Sequence, residues 1–165
     1  PLHKLATEID GLAISCDVTE AGSISRLVEA TVDALGPPHV GVYSPGQASS
    51  KMIEELTRAD TSEEMVLHYE GALTFLQSMA KAMTGSGAIT FMSSILSGHY
   101  YPGMTAYASA KAALEQLVRY AAVEYAAKGL RVNSIRPTST RTPMVEEALA
   151  IPGLAETPIK EIPMG

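Results

Sequence analysis

Residues 87–111 have the sequence GAITFMSSILSGHYYPGMTAYASAK, which joins two different hydrophobic patterns. The short apolar run Ala88–Ser93 is typical of a buried strand, and the segment that begins at Thr105 has helical spacing. The same alternation recurs along the chain and predicts the α/β class, with a doubly wound parallel sheet between two helical layers (α/β/α). The predicted strands are Leu12–Cys16, Val40–Tyr43, Ala88–Ser93 and Arg131–Ile135, and the predicted helices are Ser23–Leu35, Ser62–Met83 and Thr105–Lys128.

Local signals predict where these helices begin and end. The pair Gly36-Pro37 is a stop signal for the first helix. Thr61 and Glu64 have the spacing of a capping box at the start of the second helix, which Gly85 ends. Gly129 ends the third helix. Two shorter helical segments are expected at Pro1–Ile9 and Val145–Ala150.

Tyr107 and Lys111 lie four residues apart, which places both side chains on one face of the helix. A phenol has a pKa of about 10, and a cation one turn away favours the phenolate and lowers that pKa. A phenol tuned in this way exchanges a proton with a substrate oxygen. The hydroxyl of Ser94, arriving from the neighbouring strand, is placed to hold the same oxygen by a hydrogen bond. This combination predicts interconversion of a carbonyl and an alcohol.

Ser94, Tyr107 and Lys111 resemble the catalytic triad of the short-chain dehydrogenase/reductase family. The neighbouring segments also resemble that family, with GAITFMSS at 87–94 before the helix and LRVNSIRP at 130–137 after it. The resemblance extends over nearly the whole chain, from Leu2 to Gly165, and is greatest to members such as 3-oxoacyl-(acyl carrier protein) reductase.

The resemblance implies a Rossmann-like single domain that binds NAD or NADP and acts on a small-molecule carbonyl or alcohol substrate. It assigns Tyr107 as the acid/base and Ser94 as the residue that positions the substrate oxygen. Lys111 tunes the phenol and bonds the nicotinamide ribose. Ser93 is the competing hydroxyl, and the family's spacing to the tyrosine selects Ser94.

His68 stands where the family has a fourth catalytic residue, an asparagine three residues before a glycine, here Gly71. In the family this residue helps to hold a water that links the lysine to solvent. Two interpretations stay open. His68 relays protons through its own ring, since the ordinary pKa of histidine is about 6.5, or it is an inert substitution that weakens the relay.

Two early segments resemble cofactor contacts of the family. Asp17-Val18 matches a pair whose carboxylate accepts a hydrogen bond from the adenine amino group, and a plain helix-capping aspartate is the alternative. Residues 43–46 occupy the place of the family's Asn-Asn-Ala-Gly. Only the glycine is kept, although glycine and proline still predict a tight turn that a ligand can approach. The cofactor contacts expected in this turn are Ser44, Pro45 and Gly46.

The segment after the last predicted strand resembles the family's third group of cofactor contacts. Pro137 is followed by Thr138, where the family usually has glycine. Thr140 and Thr142 match positions that contact the carboxamide and phosphates of the cofactor. The loop 144–162 corresponds to the family's substrate lid, and its glycine and prolines suit a hinged loop.

Composition excludes several other functions. The 165-residue chain has a net charge of −6 and no lysine or arginine cluster, so neither nucleic acid nor an anionic membrane is an expected partner. The four histidines lack metal-ligand spacing, and no metal is predicted.

The single cysteine, Cys16, is expected to be structural in a reducing cytoplasm. The resemblance implies a homodimer or homotetramer, because the family often packs its two long helices against their copies. The Ala, Met and Leu content of helices 62–83 and 105–128 suits such packing.

We expect the chain to lack the first β-α-β unit of the fold, with its glycine-rich turn, and the last strand. An alternative of another class is a catalytically impaired family member that acts as a binding or scaffold protein. The departures at Tyr43–Pro45, His68 and Thr138 motivate it, and the retained triad argues against it.

Overall fold

The computed structural model describes residues 2–140 and residue 142 and centres on a parallel sheet of three strands. The strands are β1 (Val40–Tyr43), β2 (Gly87–Met92) and β3 (Leu130–Ile135), in the order β1-β2-β3. All three match the predicted strands to within one residue, because each is a short apolar run between turn signals.

Within the described residues, five α-helices accompany the strands. They are α1 (Leu2–Glu8), α2 (Ser23–Leu35), α3 (Arg58–Met65), α4 (Gly71–Ala82) and α5 (Thr105–Glu124). A π-helical segment, Val66–Glu70, joins α3 to α4, so that 58–82 is one continuous helical stretch. A 3-10 turn, Ala126–Lys128, follows α5.

The core lies between one face of the sheet and the helices α2, α4 and α5. Gly41 is paired with Ile89, and Ile89 with Val132, so these three positions share a face, and all three are buried. Val40 and Val42, on the opposite face, are exposed. The predicted doubly wound class is confirmed, and the described residues provide the sheet and one of its two helical layers.

The prediction of a strand at Leu12–Cys16 is wrong. Residues 11–17 are irregular, because a strand needs a hydrogen-bonded neighbour, and within the described chain β1 pairs with β2 alone. Cys16 is half-buried against the core, where its Sγ lies 3.6 Å from Ser23 Oγ.

The helix predicted to start at Ser62 starts earlier, at Arg58. Its capping box is formed by Thr57 and Asp60, which have the required spacing one turn before Thr61 and Glu64. The Thr57 N–H donates to Asp60 Oδ2 at 2.8 Å, and the Asp60 N–H donates to Thr57 Oγ1 at 3.2 Å. Glu64 therefore takes no part in the capping box, and its side chain is buried in the interior.

The remaining predicted helices are close to those observed. The predicted segment Pro1–Ile9 contains α1, and the predicted helix Ser23–Leu35 is observed as α2 with the same first and last residues. Gly129 follows α5 and its 3-10 turn with φ +72°, a conformation that favours glycine. The predicted helix 145–150 and the predicted lid 144–162 lie outside the described residues.

Candidate active site

The site lies at the carboxyl edge of the sheet. Ser44 follows β1, Ser93 and Ser94 follow β2, and Pro137 comes two residues after β3. Because the strands are parallel and in register, their carboxyl ends lie side by side. The fold thus places the loops that carry most of the predicted site residues at one edge.

Ser94 is buried at the start of a short 3-10 turn, Ile95–Ser97. Its Oγ accepts a hydrogen bond from the Leu96 N–H at 3.2 Å and is close enough to the Tyr107 side chain to act on the pKa of the phenol. Arg136 steadies this turn by donating to Ser94 O at 3.4 Å and to Ile95 O at 3.3 Å. The main chain around Ser94 is therefore held from two sides.

Ser93 has a different environment from Ser94. Its N–H donates to Ile135 O at 2.8 Å and continues the β2–β3 pairing. Its Oγ is buried and has no hydrogen-bond partner among the described residues. Of the two hydroxyls, Ser94 is the one that the structure brings to Tyr107.

Tyr107 and Lys111 lie on the first turns of α5, as their spacing predicts. Lys111 Nζ is 5.6 Å from the centre of the Tyr107 ring and donates to Met92 O, at the end of β2, at 2.8 Å. Lys111 is only 3% exposed. The ammonium group is thus held between the tyrosine and the carboxyl end of the central strand.

The predicted effect of Lys111 on Tyr107 is not observed. Burial raises the pKa of Tyr107, the nearby Ser94 hydroxyl lowers it, and the charge of Glu64 raises it again, so that the net direction is upward. Burial also lowers the pKa of Lys111 to about 8, against an opposing effect of Glu64. Burial changes the expected direction because it disfavours both charged forms, the phenolate and the ammonium.

His68 lies inside the π-helical segment, with no part of it exposed. Its ring meets the Tyr107 ring edge-on, with the ring centres 5.2 Å apart. Nε2 lies 2.9 Å from Gln47 O and 3.1 Å from Glu64 Oε2. Both of these neighbours are acceptors, so Nε2 carries the proton and Nδ1 is left without a partner among the described residues.

Glu64 is the residue of the site that the sequence analysis missed. The sequence analysis assigned Glu64 to a capping box with Thr61. In the structure Glu64 is only 2% exposed and lies one helical turn before His68. Its i, i+4 spacing to His68, within the helix that carries the family's fourth catalytic position, is the signal that indicates this pairing.

Tyr43 replaces an asparagine of the family pattern and supports the π-helical segment. Its hydroxyl donates to Leu67 O at 2.7 Å, and its ring packs against Phe75 and Phe91. The hydroxyl also lies so close to Gly71 that a Cβ there would overlap it. The Tyr43 hydroxyl thus gives a backbone carbonyl of the π-helical segment a hydrogen-bond partner, and Gly71 leaves the space that this hydroxyl needs. Both residues therefore support the segment that carries His68.

The candidate cofactor residues form an open rim at this edge. Ser44, Gly46, Thr138, Thr140 and Thr142 are exposed, and Pro45 and Pro137 are half-buried. Pro137 O accepts from the Ile95 N–H at 3.0 Å, which ties the segment after β3 to the Ser94 turn. A rim of hydroxyls and backbone groups suits the hydroxyl and amide groups of a dinucleotide.

Asp17 does not cap α2, which follows Gly22 without a side-chain cap. Its Oδ1 accepts from the Thr19 N–H at 2.9 Å and from Thr19 Oγ1 at 2.7 Å, and these bonds lower the pKa of the exposed carboxyl. Val18 is half-buried, and its carbonyl faces Gly71. Cofactor contact by Asp17 and Val18 stays a prediction.

Two features are absent from the described part of the chain. No three His, Cys, Asp or Glu side chains in it come close enough to hold a metal ion. Among the same residues, none of the helices has the length and apolar character needed to cross a membrane.

Comparison with known proteins gives a consistent family assignment. The family model described as enoyl-(acyl carrier protein) reductase matches residues 1–165. An uncharacterized oxidoreductase of Schizosaccharomyces pombe is 34% identical over 140 residues, which are 82% of this chain and 54% of the relative. A (3R)-3-hydroxyacyl-CoA dehydrogenase of Canis lupus familiaris is 31% identical over 139 residues, with the same two shares.

The fold is also found among solved structures. A short-chain dehydrogenase from Streptomyces avermitilis superposes with a TM-score of 0.80 at 29% identity, covering 87% of this chain and 54% of that one. The chain thus spans about half the length of these relatives.

Proposed function

The chain belongs to the short-chain dehydrogenase/reductase family, and we propose that it carries the catalytic residues of an NAD(P)-dependent oxidoreductase that interconverts a ketone and a secondary alcohol. The observation that supports this most directly is the meeting of Ser94, Tyr107 and Lys111 at the carboxyl edge of the sheet. The Ser94 side chain acts on the pKa of Tyr107, and the Lys111 ammonium lies 5.6 Å from the centre of the tyrosine ring.

The residues of the open rim would hold the dinucleotide, and a nicotinamide bound there would supply the hydride chemistry of the reaction. Ser94 holds the carbonyl oxygen by a hydrogen bond while negative charge develops on it. Tyr107 donates its phenolic proton to that oxygen in the reduction and takes a proton from the alcohol in the oxidation. Lys111 would hold the nicotinamide ribose by a hydrogen bond, and its ammonium supplies positive charge 5.6 Å from the centre of the Tyr107 ring.

Tyr107 carries the proton that the reduction needs. Burial and the charge of Glu64 raise the pKa of Tyr107 above its ordinary value, and a phenol with a pKa of about 10 or more is protonated at neutral pH. The dog relative is named for oxidising a secondary alcohol, a 3-hydroxyacyl-CoA, which supports the same chemical class of substrate.

The test uses the complete natural protein with NADH and NADPH, a panel of ketones and the variant Tyr107→Phe. We expect one of the two cofactors to bind and Tyr107→Phe to lower kcat by about 10²- to 10⁴-fold, the usual contribution of general acid–base catalysis. Tyr120→Phe, an equal change at an exposed tyrosine of the same helix, is the matched control and is expected to keep full activity.

A binding or scaffold protein is the competing function, supported by the departures at Tyr43, Pro45, His68 and Thr138. Failure of both cofactors to bind would favour it. Cofactor binding with equal turnover by the wild type and Tyr107→Phe would instead overturn the role of Tyr107.

A further inference from the structure

Glu64 is a buried carboxylate whose hydrogen bonds all reach parts of the candidate site. Oε1 accepts from the Ser49 N–H and from Ser49 Oγ, each at 2.8 Å, and Oε2 lies 3.1 Å from His68 Nε2. Burial by itself would raise the pKa of Glu64, but the nearby His68 ring and the hydrogen bonds from Ser49 outweigh it and lower the pKa. The carboxylate is therefore ionised inside the protein.

Ser49 belongs to an irregular segment, residues 47–51, that we call the strap. Gln47 O meets His68 Nε2 at 2.9 Å, Ser49 is bound by Glu64, and the Lys51 N–H donates to Gly103 O at 2.9 Å. The strap begins directly after Gly46 in the predicted cofactor turn. It is thus tied to the helix that carries His68 and to the loop that precedes Tyr107.

The charges around Glu64 also connect it to the triad. On its own helix it faces His68, and from α5 its charge acts on both Tyr107 and Lys111. The Lys51 ammonium forms an ion pair with Asp60 instead, with Nζ 2.6 Å from Oδ1. The Glu64 carboxylate therefore sits within electrostatic range of both titratable groups of the proposed reaction.

Stability alone is a weak explanation for this arrangement. Burying a charged pair costs desolvation free energy, and apolar residues of similar size commonly serve as well or better. A buried carboxylate that joins the strap, His68 and the surroundings of Tyr107 is better explained by its effect on the site.

Resting on the proposed function, we propose that Glu64 is a positioning residue, which anchors the strap through Ser49 and so fixes the Gln47 carbonyl that accepts from His68 Nε2. His68 Nδ1, buried and without a partner among the described residues, is then the ring atom left to accept a proton.

The test compares Glu64→Gln and Glu64→Ala with Glu63→Gln, a charge change at the exposed neighbouring residue. In Glu64→Ala we expect amide hydrogen exchange at Ser49 to become about 10- to 100-fold faster, the loss expected for a hydrogen bond to a charged group. The core amides of β2 should keep their rates. Glu64→Gln keeps an acceptor oxygen, so its effect on exchange should be smaller.

The second readout is the ionisation of Tyr107, obtained as the phenolate absorbance of each protein minus that of its Tyr107→Phe partner. We expect Glu64→Gln to let Tyr107 ionise at lower pH and Glu63→Gln to leave the titration unchanged. Neither readout needs turnover, so an inactive wild type would refute the proposed function and leave this test intact.

The inference is overturned if exchange at Ser49 and the Tyr107 titration match those of Glu63→Gln. It is equally overturned if hydrogen exchange in Glu64→Ala becomes faster by the same factor at the strap amides and at the core amides of β2. Glu64 would then only stabilise the fold as a whole.

Discussion

Lys111 shows how a single side chain is shaped by its surroundings. Its spacing from Tyr107 identifies it as a partner of the phenol, but its ammonium is directed to Met92 O and is almost fully enclosed. Burial lowers the pKa of Lys111 to about 8. The protein therefore holds a cation that gives up its proton more readily than a surface lysine does.

We expect this burial to make stability depend on pH. The unfolded chain binds the Lys111 proton more tightly than the native protein, so the free energy of unfolding should rise between about pH 8 and about pH 10, by at most about 3 kcal/mol. In Lys111→Met this rise should disappear. Urea unfolding across that range measures it, and Lys81→Met, at an exposed lysine of α4, should keep the wild-type slope. Equal slopes in wild type and Lys111→Met would contradict the prediction.

The helical stretch 58–82 is the element that organises the site. Its π-helical segment turns His68 into the interior, and the Tyr43 hydroxyl bonds Leu67 O within that segment. The α3 turns carry Glu64 on the same side, so both buried groups come from one element.

The observed start of α3 predicts that removing the hydroxyl of Thr57 affects the free energy of unfolding more than removing that of Thr61. Thr57→Ala removes the capping hydroxyl and should lower the free energy of unfolding by about 1 kcal/mol. Thr61→Ala, at the position that the pattern alone favoured, should change it by less than about 0.5 kcal/mol, since Thr61 is exposed and its hydroxyl bonds only Arg58 O. Chemical denaturation of both variants measures the difference, and the reverse order would show that the helix begins at Thr61.

For the whole molecule, the surface formed by the π segment and α5 is the candidate contact between copies. Tyr69 meets Ala113, Gln116, Leu117 and Tyr120 around a shallow hollow there, and Tyr120 is 61% exposed. An apolar helical surface of this kind suits the predicted packing of two long helices against their copies.

We expect Tyr120→Glu to weaken a homodimer or homotetramer, because it would bury a charge at the contact. Sedimentation velocity should show a shift toward the monomer. Leu35→Glu, at an exposed leucine of α2, is the control and should leave the sedimentation unchanged. A wild-type monomer, or no shift in Tyr120→Glu, would refute the predicted contact.

The amino-acid pattern was sufficient for β1, β2 and β3 and for the juxtaposition of Ser94, Tyr107 and Lys111. These features depend on local periodicity and on the rule that parallel strands end at one edge. The pattern failed for Leu12–Cys16, because a strand requires a neighbour that no local signal supplies.

The pattern also failed for Glu64, because Thr57–Asp60 and Thr61–Glu64 have the same spacing and differ only in what surrounds them. Burial, the partners of the Glu64 carboxylate and the direction of the Tyr107 pKa depend on residues brought together from separate elements. Such properties arise from the packing of the folded chain, since desolvation and charge act through space rather than along the sequence.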